Sequence, residues 1–345
     1  VAILSYILGG GDRERDYLYR AWSVIGQSGG QYSNGARDEA LQDLIRHGFS
    51  LAGIELPGKL LEGLDLRGAD LREAHLDSAH LAHARLGCRR SMASWLKQRC
   101  TSLAGATLTF AELPGVDLSD VALDGAKLDG ANLVGARLPP ARLVGASFRR
   151  AHLSGVDLRG ADLHGVSFDS AQLDSARLDD ANLEHASLQH AQLPGASLLR
   201  ARLIGANLFD AMLNGAHLDS AALSQTRFDH ASLLDATLRH TKLEGAHLDA
   251  ARLERADLQF TEITSGTIQG ASFIEAKLQH AHFKAVPANR LDFSGADLSF
   301  AVIEPSQFHE SRFVRAVLRN ADLSRAFLRG ANFTGADLRD ALLPP

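Results

Sequence analysis

Ala126-Lys127-Leu128-Asp129-Gly130-Ala131-Asn132-Leu133-Val134-Gly135-Ala136-Arg137-Leu138 holds the pattern by which the whole chain is read. A large apolar residue returns at every fifth position, and a small residue precedes it by two. Between residues 103 and 343 this gives 49 large positions, of which 48 are Leu, Ile or Phe; Ala288 departs. The small position is usually Ala, as at Ala106 and Ala126, with Val, Thr, Ser or Gly elsewhere. A helix repeats at 3.6 residues and a strand at 2, so a period of five fits neither as a long element. A chain that turns at regular intervals does fit. Each unit then forms one side of a coil, a short extended piece followed by a corner. Alternate residues of an extended piece share a face, so the large residue and the small one both point inward. Four such sides close one coil, whose interior is narrow, which explains the Ala. Gly two positions after Leu (Gly125, Gly135, Gly145, Gly155) suits a corner. Asp or Asn just before Leu (Asp117, Asn132, Asp157, Asn182, Asn207) bonds nearby backbone as in an Asx turn. Stacking at the strand spacing of ~4.8 Å gives about 12 coils and a rod roughly 58 Å long.

Two features inside the sequence bear on this reading. Residues 20 apart are expected to be stacked neighbours, and Asp117, Arg137, Asp157 and Arg177 alternate in charge at that interval. Near Ala288, Val286 and Leu291 stand where small residues belong, so large and small are exchanged, and Pro287 lies between them. An irregular turn is expected at 284–292.

The period divides the chain into four parts. Residues 1–48 lie outside it. Tyr17, Leu18, Ala21, Trp22 and Ile25 have the spacing of one helix face, and Ala40, Leu41, Leu44 and Ile45 mark a second helix. A small helical cap over the first coil is the expected role, because the end of a solenoid exposes strand edges and apolar side chains. A docking module anchored by Trp22, Tyr17 and Tyr19 is the functional alternative. Residues 1–8 are largely apolar but too few to span a bilayer, which needs about 20. They read as a short cap strand or as the end of a membrane segment preceding Val1, so membrane association through that region is kept as an expectation. A first repeat block fills 49–86, and the main block 103–345.

Between them, residues 87–102 break the phase. The step from Leu86 to Leu103 is read as three units plus two extra positions, so residues 87–102 are expected to leave the regular path and rejoin it. The insert carries Arg89, Arg90, Lys97 and Arg99 and no acidic residue, and Met92, Trp95 and Leu96 would share a face of a short helix. It is either a helical bulge packed on the coil or a projecting contact loop of the kind that carries recognition on rigid scaffolds. Arg89, Arg90, Met92, Trp95, Lys97, Arg99 and Trp22 are the candidate interaction residues. Cys88 and Cys100 are expected to approach each other across its base. Two thiols without a nearby His do not make a zinc site. With only these two cysteines in the chain, a reducing, cytoplasmic compartment is expected.

Units such as Ala131-Asn132-Leu133-Val134-Gly135, Ala161-Asp162-Leu163-His164-Gly165 and Ala336-Asp337-Leu338-Arg339-Asp340 resemble the pentapeptide repeat family, whose consensus is A-[DN]-L-x-x. The resemblance covers 49–86 and 103–345. It implies an all-β solenoid, a right-handed four-sided parallel β-helix. Family roles are non-catalytic: scaffolding or targeting in some members, and DNA-mimicking inhibition of gyrase in the quinolone-resistance members.

The chemistry agrees with a non-enzyme. There is no phosphate-binding loop, H-E-x-x-H motif, dinucleotide fingerprint or nucleophile elbow. No catalytic, cofactor-binding or metal-ligating residue is assigned, and no cofactor is expected. The 15 histidines fall mostly at outward positions. His240 and His280 share a corner column with Phe260 and Phe300, but stand about two coils, ~10 Å, apart, too far for one metal ion. The net charge is −5, with +1 over residues 1–102 and −6 over the rest, so no nucleic-acid partner is implied. Residues 112–184 hold 12 acidic and 7 basic residues, whereas 311–345 hold 3 and 6. That mixture favours a rigid scaffold for a protein partner over DNA mimicry. The C-terminal coil, without a helical cap, is expected either to offer an end-to-end homodimer contact or to have its edge blunted by Pro344 and Pro345.

Overall fold

The structure is a computed structural model and describes residues 19–21, 23–25, 35–89, 99–138 and 143–345. Of Arg89 and Arg99 it describes the backbone alone. Parallel bridges link residues 20 apart along the chain, and the residue before each large apolar one carries them: Asp117 to Arg137, Arg137 to Asp157, Asn132 to His152, Lys127 to Ser147. Each coil thus has four bridge positions, one per unit. A short antiparallel pair, β1 (Cys88–Arg89) and β2 (Arg99–Cys100), stands apart from this pattern. Elsewhere some bridges lengthen into strands. Strands β3 (Lys242–Glu244), β4 (Glu262–Thr264), β5 (His282–Lys284) and β6 (Val302–Ile303) form one parallel sheet in that order. Leu243 registers with Ile263, Ile263 with Phe283 and Phe283 with Ile303.

Four backbone hydrogen bonds build each regular unit. Leu108 donates up to Lys127 O at 2.7 Å, Phe110 to Asp129 O at 2.9 Å, Lys127 donates back to Ala106 O at 2.9 Å, and Ala106 closes its corner on Leu103 O at 3.0 Å. The large and small positions are buried along the array, Leu198, Ala201 and Leu203 at 0 % exposure. Aromatic inward positions stack coil on coil, as in Phe273, Phe293 and Phe313 at 5.0 Å per step. Small polar residues enter this core only with a bond in hand: buried Thr226 donates to Leu203 O at 2.8 Å.

The corners need a positive φ at their second residue. Gly125 (φ 66°) meets that need as expected, but His240, Arg255 and Asp235 adopt 56–58° at the same position. Corner chemistry is therefore freer than the glycine pattern implies, because these hydrogen bonds over-determine each turn.

At the N-terminal end the helix Gly35–His47 lays Leu41, Leu44 and Ile45 on the first coil, where they join the continuous core. Arg37 is 1 % exposed, and its guanidinium donates to Leu60 O at 2.7 Å and pairs with Asp38. Residues 19–21 and 23–25 are helical, with Ala21 and Ile25 buried. Trp22 and Tyr17 lie outside the described residues. Among the described residues no helix is long and apolar enough to cross a membrane.

At Ala288 the register fault takes a defined form. The ordinary corner bond between the amide of residue 291 and the carbonyl of residue 288 is replaced: Leu291 N donates to the Ser311 hydroxyl at 3.2 Å. Val286 N likewise donates to Ser306 Oγ at 3.1 Å. Both serines are buried in the next coil, in the small-residue columns that Val286 and Leu291 occupy. The exchange of large for small is thus balanced one coil later by hydroxyls that take up the displaced amides.

Candidate interaction surfaces

At 87–102 the chain leaves the regular path and rejoins it, as expected from the spacing, but the number of units it replaces differs. Asp70 bridges Ser102, His75 bridges Thr107 and His80 bridges Glu112, a separation of 32 where the other bridges have 20. The interruption is therefore one unit of five plus an excursion of 12, not three units plus two. Leu86-Gly87-Cys88 and Thr101-Ser102-Leu103 together fill one unit, with Thr101 in the small inward position and its amide on Gly87 O in place of Leu86 O. The chain leaves along β1 and returns along β2. Cys88 faces Cys100 in that pairing, and the two are joined by a disulfide. A bonded pair runs against the reducing compartment expected from cysteine usage.

Below the disulfide, Thr101 ties the neck to the coil. Its hydroxyl lies 2.9 Å from Leu66 O and 3.0 Å from Gly87 O, and accepts from the amides of Gly68 and Gly87 at 3.2 Å. Thr101 N donates to Gly87 O at 2.9 Å. Of the candidate residues, Arg89 and Arg99 are placed opposite each other on the neck. Arg90, Met92, Trp95 and Lys97, and the helix expected around them, lie outside the described residues.

The outer surface is a mixed-charge lattice. The expected Asp117–Arg137–Asp157–Arg177 column exists as bridge partners, but the charges choose nearer company. Asp157 takes a two-pronged bond from Arg159, two residues on, at 2.8 Å for each prong, while Arg177 stands 3.7 Å away. The same fork joins Asp65 to Arg67 and Asp70 to Arg72. The Arg67 guanidinium pulls the Asp65 carboxyl down to about 2, and Arg72 does the same for Asp70. Vertical pairs between successive coils occur at the corners, Asp180 with Arg200 and Asp235 with Arg255. A second recurring device locks one coil to the next: Asp129 accepts from Ser147 Oγ and from Arg149 N, and Asp169 from Ser187 Oγ and Gln189 N.

Among the described residues no group of His, Cys, Asp and Glu is arranged to hold a metal ion. His240 and His280 are separated by the ring of Phe260, stacked 4.9 and 4.7 Å from them. At the corner beside the register fault, Asn289 Oδ1 and His309 Nδ1 are buried without a hydrogen-bond partner. In the last coil Leu328, Phe333 and Leu338 are partly buried and Leu343 is 51 % exposed.

The repeat geometry finds its counterpart in known proteins. The pentapeptide repeat profile matches in eight copies, over residues 60–87, 101–138, 141–180, 176–215, 206–245, 231–265 and 306–343, well over half of the chain. No curated protein matches the chain. Among solved structures, HetL, a pentapeptide repeat protein involved in heterocyst differentiation regulation from the cyanobacterium Nostoc sp. strain PCC 7120, is 31 % identical. That match covers 56 % of this chain and 90 % of HetL, with a TM-score of 0.43. QnrB1, a plasmid-mediated fluoroquinolone resistance protein, is 20 % identical over 60 % of this chain and 91 % of its own, with a TM-score of 0.29. A pentapeptide repeat protein of the Arabidopsis thaliana thylakoid lumen is 26 % identical over 35 % of this chain and 71 % of its own, with a TM-score of 0.21. The chain belongs to the pentapeptide repeat family.

Proposed function

We propose that the protein is a non-catalytic, rigid scaffold for protein–protein interaction: a right-handed, four-sided β-helix capped by the helix Gly35–His47, which presents the insert at 87–102 to a protein partner. The observation that carries the reading is the splice of a separate excursion into the 20-residue register, which resumes on its far side, with the neck tied by Cys88–Cys100 and by Thr101. An excursion that leaves the register of the array intact is free to vary its contacts, which is where scaffolds place recognition. Arg89, Arg90, Met92, Trp95, Lys97 and Arg99 are the residues assigned to contact. A homodimer through the C-terminal coil belongs to the same proposal.

Gyrase binding by DNA mimicry is the less supported alternative, because a mimic needs a continuous acidic face. The Arg–Asp forks and the Arg200 and Arg255 pairs interleave cations with the carboxylates. A cytoplasmic setting is retained as the working placement, against which the disulfide argues; alkylation of free thiols before lysis decides between them.

Affinity capture of partners by the intact chain and by a chain lacking the insert tests the scaffold reading. Loss of a defined partner on deletion is the expected result, and an unchanged partner set contradicts it. Inhibition of gyrase supercoiling by the purified chain would move the weight to mimicry.

A further inference from the structure

His240, Phe260, His280 and Phe300 occupy one corner of four successive coils. Their rings stand face to face, with centroids 4.9, 4.7 and 5.0 Å apart and planes within 8° of parallel. All four residues hold a positive φ of 56–61°. That conformation crowds Cβ against the backbone of any residue with a side chain. Phe260 and Phe300 are also 45 % and 50 % exposed. A phenyl ring at a strained, wet corner is unfavourable on both counts. Phe110, at a corner of its own, lies over Gly130, where an added Cβ would come within 2.4 Å of the ring, and stays 65 % exposed. In the column, neighbouring rings cover one another's faces and gain the attraction of stacked aromatic pairs. The ring edges are left to solvent, as a straight rail with a repeat near 5.0 Å.

That repeat constrains what can lie along it. A single extended peptide advances ~3.3 Å per residue and cannot keep step, whereas another stack of coils advances by the strand spacing of ~4.8 Å. The rail is also self-complementary. Read backwards, His-Phe-His-Phe becomes Phe-His-Phe-His. A twofold axis crossing the rail midway between Phe260 and His280 sets Phe260 against the partner's His280, and His240 against the partner's Phe300. Every rung then meets the other ring type. The same operation sets Gln259 against the partner's Gln279 on one flank. On the other flank Glu262, which pairs with Lys242 of its own chain at 3.6 Å, comes opposite the partner's His282; in each chain His282 Nε2 faces Glu304 at 3.3 Å, so the rings and not this flank set the register. A parallel pairing about an axis along the rail would instead set each ring against its own copy.

We propose that this corner column is the contact face of an antiparallel, twofold homodimer, the partner being a second copy of this chain. A contact over four coils is ~15 Å long at the strand spacing. It belongs to the small, transient class of interfaces, below about 1,200 Å², with a dissociation constant on the order of 100 μM.

Sedimentation equilibrium of the full chain, from about 5 μM to about 500 μM, tests the proposal. The expected mass rises from the 37.0 kDa of one chain towards twice that value. The double variant Phe260→Ser, Phe300→Ser is expected to associate at least about tenfold more weakly, with unchanged circular dichroism. Should that variant fail to fold, His240→Ser with His280→Ser, which keeps both phenyl rings, is expected to weaken association in the same direction. A mass of one chain at every concentration overturns the proposal. So does association that neither ring variant alters, which is the behaviour of an end-to-end contact through the last coil.

Discussion

Leu291 donates its backbone amide to the hydroxyl of Ser311 in the next coil, at 3.2 Å, in place of the corner bond that residue 288 accepts in a regular coil. A large residue in a small site has pushed the turn open, and the next coil supplies the missing acceptor. Ser311 is 0 % exposed, so its removal leaves a buried amide unpaired. Ser311→Ala is expected to cost ~1–3 kcal/mol. Ser272 offers the contrast, since its hydroxyl is buried with no partner. Ser272→Ala is expected to be neutral or mildly stabilising. Denaturant titration of the two variants checks the difference, and equal losses would contradict it.

The neck of the insert gives a second prediction. Thr101 Oγ1 joins the coil of Leu66 to the corner at Gly87, and Val has the same shape without the hydroxyl. Thr101→Val is expected to lose ~1–3 kcal/mol, because the Gly87 amide loses its partner in a dry site, while Leu66 O keeps the amide of Ala69 and the Gly68 amide keeps Gly87 O. A loss below about 0.5 kcal/mol would show that the Gly87 amide finds another partner.

Acid lability follows from the Arg–Asp forks. Asp65 and Asp70 titrate in the folded chain at about 2, held down by Arg67 and Arg72. The ordinary value for Asp is about 3.9. A depressed folded value means the two carboxylates stabilise the fold fully above the ordinary value and lose that contribution as pH falls through about 2. Both pairs are partly exposed, so the contribution is modest. The double variant Asp65→Asn, Asp70→Asn is expected to melt lower than the parent at pH 6, and the gap is expected to close by about pH 2. A gap independent of pH would contradict the assignment.

The core was legible in the sequence because burial imposes a period: a Leu every fifth residue and an Ala two before it name nearly every inward side chain. The exchange at 286–291 was legible for the same reason, as a break in volume. The serines that repair it were not, since Ser306 and Ser311 look like ordinary small residues until the displaced amides are seen. Charge pairing at Asp157 was legible in part: Arg177, one coil on, forms the expected ion pair at 3.7 Å, but the shorter, bidentate fork to Arg159 was not readable from the coil-to-coil spacing. That the insert leaves the path and rejoins it was legible, and so was the approach of Cys88 to Cys100; the number of units it replaces was misjudged, because spacing alone does not show at which residues the chain departs and returns. The separation of the cysteines, 12, is the length of the excursion.

That excursion also allows the most direct test. If the array is a continuous stack into which residues 89–100 are spliced, then deleting them with Cys88→Gly joins Gly87 to Thr101 through a single corner residue and restores an ordinary coil. Thermal unfolding of this shortened chain is predicted to remain one cooperative transition, within about 4 °C of the parent. Loss of cooperativity, or a fall of more than about 15 °C, would mean that the insert is part of the coil path, and would contradict a continuous register through 86–103.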